Sequence, residues 1–314
     1  MSQSTTRRSG NRAGMPSSGP RLAGRRGTFM RALRPKQWLK NVLVAAAPLA
    51  AGTLLVRATF ENVAITFVSF CLASSAGYLV NDVLDADADR EHPTKRARPV
   101  ASGALKARTA LLGAAAMSVA GLAVGFWLVS PRVGLVLLVY LALTLCYSLG
   151  IKRQAVFDLA VVSAGFVLRA IAGGLAAQVP LTQWFLLVAS FGSLFVVAGK
   201  RYAEVPRQAQ SMNDVPTSVI QYSASYLRFV WGLAASAAII GYALWAFDVG
   251  TARGHSSLWA EISVAPFVVA VLRYAADVDR GEAGCPEDVV LHDHGLQLVV
   301  LLWLVAFGIA ANVV

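Results

Sequence analysis

The sequence predicts an all-α membrane protein, a bundle of nine transmembrane helices. Of its 314 residues, 56% are hydrophobic and only 14% are charged, whereas about 25% are charged in an ordinary soluble domain. Three cysteines are too few for a disulfide scaffold of this length. Apolar runs of about one bilayer span recur along the chain. We place them at 41–56, 62–80, 110–130, 133–149, 155–177, 179–199, 229–247, 258–276 and 295–313.

Three of these runs contain residues that need a separate argument. The first run is short and contains Pro48, and the eighth contains Pro266. We keep both as spans because neighbouring helices can satisfy the backbone groups that a membrane proline frees. The fifth run contains Arg169, which costs at least ~2.5 kcal/mol on insertion scales and should therefore face the bundle interior.

The distribution of Lys and Arg predicts the orientation. Ten of the 28 precede the first run, and fourteen more lie in the alternate connections 90–108, 150–154, 200–228 and 273–280. The opposite connections hold only three. Because Lys and Arg accumulate in cytoplasmic loops, we expect the amino terminus and the long connections in the cytoplasm and the carboxyl terminus outside. The predicted location is the cell (inner) membrane.

The first 30 residues differ in composition from the rest. They are rich in Ser, Gly and Arg and have almost no large apolar side chain, which is typical of a disordered segment. We therefore divide the chain into a disordered basic tail, 1–30, and a nine-helix transmembrane domain, 31–314. We expect the tail to be attracted to anionic lipid headgroups and expect no nucleic-acid partner.

An acidic cluster, Asp82, Asp85 and Asp89, follows the second apolar run. Its members are three and four residues apart, so they share a helical face, whereas Asp87 points elsewhere. Three stacked carboxylates repel one another and need a positive partner. That partner is either a solvated network of the basic side chains at 90–98 or a hard divalent cation, Mg²⁺ or Mn²⁺.

A loop rich in Lys and Arg follows the acidic cluster. Residues 92–99 read His-Pro-Thr-Lys-Arg-Ala-Arg-Pro. Carboxylates that bind a metal, next to cations that bind phosphate oxygens, are what a Mg²⁺-diphosphate requires. Lys95 and Arg98 are therefore candidates for contacting phosphate.

The order Asn81-Asp82-x-x-Asp85-x-x-x-Asp89, followed by this basic loop, resembles the first motif of the UbiA-type intramembrane prenyltransferase superfamily. The resemblance implies a UbiA-type helix bundle. It also implies that the acidic cluster binds Mg²⁺ and the diphosphate of a donor, with Asn81 contributing to substrate binding.

Two further cytoplasmic segments resemble the same family. Residues 34–41 read Arg-Pro-Lys-Gln-Trp-Leu-Lys-Asn and are similar to its amino-terminal signature, and residues 147–153 read Tyr-Ser-Leu-Gly-Ile-Lys-Arg and resemble its Tyr…Lys element. Without the resemblance, both segments read as interfacial anchors, since Trp, Tyr and Lys prefer headgroups. The substrate-binding candidates in them are Lys36, Gln37, Lys40, Asn41, Tyr147 and Lys152.

One segment departs from the family pattern. After the sixth run, where most family members carry a second aspartate-rich motif for a second metal, residues 200–204 read Lys-Arg-Tyr-Ala-Glu. Extra cations suit a donor with more phosphate than a prenyl diphosphate, because each added dianion needs its own Lys or Arg. We take Lys200 and Tyr202 as candidates, although ordinary positive-inside residues give the same pattern.

Asp158 and Arg169 complete the set of candidate site residues. They are eleven residues apart, so they share a helical face, but an axial separation of ~16 Å excludes direct pairing. We expect Asp158 to line the cytoplasmic mouth. Arg169 would lie deeper and meet a lipid phosphate or a carboxylate of another helix.

Together these features resemble the branch of the family that transfers 5-phosphoribose from phosphoribosyl diphosphate to decaprenyl phosphate or another polyprenyl phosphate. The resemblance implies a product destined for cell-wall arabinan (arabinogalactan). Asp82, Asp85, Asp89 and Lys152 would be catalytic, and no strong base would be needed because the acceptor phosphate is already an anion. Acceptor chain length and oligomeric state are left open.

Two other functions are also compatible with the sequence. The first, within the same family, is transfer of a polyprenyl group to a quinone or haem precursor. That reaction should need a second acidic motif at the positions of Lys200 and Glu204. The second, which is not an enzyme, is a cation transporter that uses the acidic cluster as an ion site. A transporter predicts further ionisable residues at mid-membrane depth, and Arg169 is the only residue that we place there.

Overall fold

The computed structural model describes residues 25–209, 222–253, 257–280, 289 and 292–312. In these ranges every regular element is a helix. The α-helices are α1 Arg25–Leu33, α2 Ala46–Ala50, α3 Arg57–Leu84, α4 Ala86–Glu91, α5 Ala107–Ala123, α6 Pro131–Leu149, α7 Phe157–Ala177, α8 Gln183–Ala209, α9 Ala224–Arg253, α10 Ser257–Asp279 and α11 His294–Asn312. The 3₁₀ helices are Pro35–Ala45, Lys95–Ala97 and Ile151–Arg153, and a π-helical segment, Val124–Val129, extends α5.

Eight helices of the described chain are long and apolar enough to cross a membrane, namely α3 and α5 to α11. They correspond to the second to ninth apolar runs, so eight of the predicted helical spans are confirmed as helices. Many of their exposed side chains are large and apolar, for example Trp127 and Leu302, as a lipid-facing surface requires. The predicted tail, 1–30, lies mostly outside the described residues, but α1 begins at Arg25, so its last six residues are helical.

The prediction of an α-helical span at 41–56 is wrong. This part of the chain is a 3₁₀ helix up to Ala45, then the five-residue α2 and a turn with Gly52 at φ 68°. Pro48 has no amide hydrogen to donate to the Val44 carbonyl, so an α-helical bond is lost there. The freed carbonyl packs against α7, where a Cβ on Gly173 would lie 1.7 Å from the Val44 oxygen.

Two groups of helices share the core. In the first, α3 is the most buried span, and it packs with α5, α6, α7 and the 3₁₀ helix Pro35–Ala45. In the second, α8, α9 and α10 surround Leu227 and Val278, and α11 packs on α10. Small residues such as Ala73, Ala172 and Ala198 are fully buried and allow the helices to approach closely. Contacts between α7 and α8 join the groups, and the polar end of this junction holds the candidate site.

Candidate active site

Asp82 lies in the last turn of α3 and is 1% exposed. The Arg34 Nη2 donates to its Oδ1 at 2.5 Å, and the Arg98 Nη1 lies 3.6 Å from the same oxygen. Its Oδ2 is buried and has no hydrogen-bond partner among the described residues. The sequence indicated Arg98 here but not Arg34, which the backbone presents from φ 54° immediately after α1.

Asp85 and Asn81 form a second contact point with the loop after α6. The Lys152 Nζ donates to Asp85 Oδ1 at 2.5 Å and to Asn81 Oδ1 at 3.2 Å. The Asn81 Nδ2 in turn donates to Asp85 Oδ2 at 2.9 Å. Three residues that the sequence predicted for one site, on segments about 70 positions apart, are thus brought together by the fold.

Asp89 is the third member of the acidic cluster, and it is buried on α4. The Arg98 Nη1 donates to its Oδ2 at 2.6 Å, so one guanidinium serves both Asp89 and Asp82. Asp87 points outward, with its side chain 95% exposed, and pairs with Arg90. The sequence allowed both Arg90 and Arg98 to pair with the acidic cluster. Among the described residues, Arg98 does so and Arg90 does not.

Each carboxylate of the acidic cluster faces a cation. Within the described ranges, no group of three His, Cys, Asp or Glu side chains is arranged to hold a metal. The donor set still fits a hard divalent ion, because carboxylate and amide oxygens are its preferred ligands and Asp82 keeps one buried oxygen without a partner. Arg98 sits between Asp82 and Asp89, where a cation can serve both.

A second charged group, the Arg201 clamp, consists of Arg201, Asp158, Glu204 and Tyr147. Asp158 is fully buried at the start of α7. It accepts hydrogen bonds from the Tyr147 hydroxyl at 2.8 Å and from Arg201 Nε and Nη2 at 3.0 Å each. Arg201 Nη1 also donates to Glu204 at 3.3 Å. Arg201 and Glu204 are site residues that the prediction missed, although charges at the end of an apolar run were a visible signal.

Lys95 and Lys200 are partly buried; Lys95 is close to Asp85, Asp89 and Glu204, and Lys200 directly precedes Arg201 in the sequence. Neither ammonium forms a hydrogen bond or an ion pair within the part of the chain that the structure describes. Burial and the nearby Arg98 lower the pKa of Lys95, while Asp89, Asp85 and Glu204 oppose that shift. Lys95 is therefore a partly desolvated cation between the acidic cluster and α8, which is the environment that an incoming anion would stabilise.

Tyr202 lies away from the acidic cluster. Its hydroxyl accepts from Arg228 Nη2 at 2.6 Å and donates to Asp279 at 3.2 Å, and its ring stacks on Trp231 at 5.7 Å. These contacts hold Tyr202 between α8, α9 and α10. Its predicted substrate contact stays a prediction, without support from these partners.

Arg169 lies deep in the bundle and is buried, as predicted. Its partners are Asn41 Oδ1 at 2.7 Å, the Gly165 carbonyl at 2.6 Å and the Tyr140 hydroxyl at 2.9 Å. The sequence suggested a lipid phosphate or a carboxylate of another helix as its partner, and none of these three groups is a carboxylate. The guanidinium also lies 4.7 Å from the centre of the Tyr140 ring. Asn41 is fully buried in this contact, so the pair joins the 3₁₀ helix to α7 below the mouth of the site.

The remaining candidates lie on the 3₁₀ helix Pro35–Ala45, which begins directly after Arg34. Lys36 is exposed, and Gln37 and Lys40 are partly buried. The first turn of this helix is held beside the acidic cluster by the ion pair of Arg34. Lys36, Gln37 and Lys40 are therefore near the site, and their predicted substrate contacts stay predictions.

Eight spans, a largely buried acidic cluster and a ring of cations at one end of the bundle define an intramembrane enzyme of the type that the motifs indicated. A model of the UbiA prenyltransferase family matches residues 42–292. The chain belongs to this family, which confirms the predicted resemblance.

Individual relatives point to one branch of the family. The decaprenyl-phosphate phosphoribosyltransferase of Mycobacterium tuberculosis is 50% identical over 285 residues, which cover 90% of this chain and 93% of the relative. The enzyme of the same name from Corynebacterium glutamicum is 48% identical, covering 91% and 87% of the two chains. Among solved structures, a UbiA homolog from Archaeoglobus fulgidus bound to DMAPP and Mg²⁺ has a TM-score of 0.69 at 18% identity, covering 91% of this chain and 99% of that one. This likeness shows the fold.

Proposed function

We propose that this chain transfers 5-phosphoribose from phosphoribosyl diphosphate to decaprenyl phosphate in a Mg²⁺-dependent reaction. The observation that carries the proposal is its 50% identity, over 90% of its length, to an enzyme of that name. The site supports it with cations beyond those that neutralise the acidic cluster. A donor with a diphosphate and a separate 5-phosphate needs such additional cations.

The acidic cluster would hold the metal, and Asn81 would orient Asp85. When bound there, a divalent ion would supply charge neutralisation for the diphosphate that leaves ribose C1. Arg34, Arg98 and Lys152, which pair with the carboxylates in this structure, would then bind diphosphate oxygens. Positive charge that builds on the ribose ring is met by an oxygen of the acceptor phosphate, which forms the new C1–O bond.

Lys95 and Lys200 are the residues we assign to phosphate groups that the metal does not reach. Both ammonium groups lack an ion pair with the described residues, and Lys95 carries a burial penalty that a phosphate partner would relieve. The position that holds carboxylates in most family members is here occupied by Lys200. This substitution favours the phosphoribosyl donor over a prenyl diphosphate.

We further propose that the chain crosses the inner membrane nine times, with the site on the cytoplasmic side and the carboxyl terminus outside. The 3₁₀ helix Pro35–Ala45 descends along α3, since Trp38 bonds to Ser75 at 3.0 Å and Asn41 to Cys71 at 3.3 Å. A 3₁₀ helix rises about 2 Å per residue, so residues 35–50 are long enough to traverse the bilayer. The product would enter the synthesis of cell-wall arabinan.

The test is transfer of label from radiolabelled phosphoribosyl diphosphate into the organic phase by purified protein with decaprenyl phosphate and Mg²⁺. Asp85→Ala should abolish the transfer, because it removes a metal ligand and the partner of Lys152. Asp87→Ala is the matched control, since this aspartate is exposed and outside the acidic cluster, and it should keep wild-type activity. Consumption of a prenyl diphosphate with an aromatic acceptor, and no labelled lipid, would overturn the proposal.

A further inference from the structure

Arg201 lies between two carboxylates of different helices. Its Nε and Nη2 each lie 3.0 Å from an oxygen of Asp158 on α7, and its Nη1 lies 3.3 Å from Glu204 on α8. The Tyr147 hydroxyl of α6 approaches the same guanidinium at 3.5 Å. Three helices thus direct oxygen atoms at a single cation, whose side chain is only 15% exposed.

The chemistry of these oxygens is not specific to arginine. Two carboxylates and a hydroxyl are hard oxygen ligands of the kind that Mg²⁺ and Mn²⁺ bind. A fully buried carboxylate such as Asp158 needs a positive partner, because desolvation penalises an unpaired charge. A guanidinium supplies that charge permanently, since Arg stays protonated in proteins. Arg98 also lies between two carboxylates, Asp82 and Asp89, but Asp82 keeps a buried oxygen without a partner among the described residues. Both oxygens of Asp158, in contrast, accept hydrogen bonds from Arg201.

We infer that Arg201 takes the place of a second divalent cation and limits the site to one metal, held by the acidic cluster. This inference rests on the proposed function. Because Arg201 satisfies Asp158 and Glu204 internally, these carboxylates do not recruit metal or compete for Lys95 and Lys200. Those two lysines then stay available for phosphate, so Arg201 contributes to donor specificity as a positioning residue.

The experiment counts Mn²⁺ bound per chain by electron paramagnetic resonance, using full-length protein in detergent with excess inorganic pyrophosphate. Wild type should bind one Mn²⁺. Arg201→Met should bind two, because Asp158 and Glu204 lose their internal cation. Arg201→Met combined with Asp158→Asn should return to one, and Arg201→Lys, which retains a positive charge, should also bind one.

Each other result has a definite meaning. A wild-type protein that binds no Mn²⁺ contradicts the proposed metal dependence, whereas two Mn²⁺ in wild type, or one in a folded Arg201→Met, overturns the role of Arg201 alone. The thermal unfolding temperature is a second measurement, for the case that Arg201→Met folds poorly. Mn²⁺ should raise that temperature more in Arg201→Met than in the double variant, which keeps only the metal held by the acidic cluster. If Arg201→Met fails to fold with and without Mn²⁺ while the double variant folds, a divalent ion does not replace the guanidinium and the inference is wrong.

Discussion

Arg98 contacts both Asp82 and Asp89, at 3.6 and 2.6 Å. In the proposed reaction, the guanidinium that neutralises these carboxylates would become available to phosphate oxygens if a metal took its place. Arg34 and Lys152 stand in the same relation to Asp82 and Asp85. At the scale of single residues, the metal and the diphosphate should therefore each favour binding of the other. The metal would replace the cations at the carboxylates, and the diphosphate would bind the cations so released.

Lys95 gives a prediction for pH dependence. Its pKa is lowered by burial and by Arg98, so it loses its proton at a lower pH than an ordinary lysine, and only the protonated form attracts phosphate. We expect the KM for phosphoribosyl diphosphate to rise as pH increases through this lowered pKa. Arginine keeps its charge over that range, so Lys95→Arg should shift the rise in KM to higher pH.

The measurement is KM for the donor between about pH 7 and 10 in wild type, Lys95→Arg and Lys106→Arg, the last as an exposed control. Titration of the donor and of the metal affects all three proteins equally, so the difference between them isolates Lys95. Identical pH profiles for wild type and Lys95→Arg would show that Lys95 does not bind the donor.

At the scale of elements, the contact between the 3₁₀ helix Pro35–Ala45 and α7 sets the position of the amino-terminal motif. Gly173 permits this contact because its missing side chain leaves room for the Val44 carbonyl. Arg169 fixes the same two elements through its bond to Asn41. The hydrogen bond between Arg169 and Asn41 and the contact between Gly173 and Val44 thus hold Arg34 at the depth of the acidic cluster.

Gly173→Ala should destabilise the protein. The added Cβ would lie 1.7 Å from a backbone oxygen, so the 3₁₀ helix must move, and overpacking of this kind costs about 1–3 kcal/mol. Thermal unfolding in detergent measures the effect. Gly192→Ala, in α8, is the control, because its Cβ would have no neighbour within 4 Å, and it should leave the unfolding temperature almost unchanged. Equal unfolding temperatures for the two variants would contradict the close packing.

At the scale of the whole molecule, the number of crossings decides where the carboxyl terminus lies. The eight helical spans alone would leave the two ends of the chain on the same side, whereas a crossing by residues 35–50 places them on opposite sides. We expect alkaline phosphatase fused after Val314 to be active in a bacterial host, because the enzyme folds only outside the cytoplasm. A fluorescent protein fused at the same point, active while the phosphatase is not, would show that residues 35–50 do not cross.

Much of the site could be predicted from the sequence motifs. Helical spacing aligns the carboxylates on one face, and the fold brings the loops that carry the cations to the same end of the bundle. The residues that lie together for these reasons are Asn81, Asp82, Asp85, Arg98 and Lys152. Eight apolar runs form helices because burial of a continuous apolar stretch in lipid requires internal hydrogen bonds. The first run does not form an α-helical span, because Pro48 and the close packing against α7 override hydropathy.

By itself, the sequence determined the class of fold, the end of the bundle at which charge collects, and the acidic cluster, since these depend on composition and on local periodicity. Only the tertiary structure decided which cation meets which carboxylate. Arg34 reaches Asp82 across 48 positions, and Arg201 reaches Asp158 across 43. Spacing along one helix cannot predict such pairs, because the order and rotation of helices in a bundle follow from packing between them. The same packing left Lys95 and Lys200 without carboxylate partners among the described residues, as their proposed contact with phosphate requires.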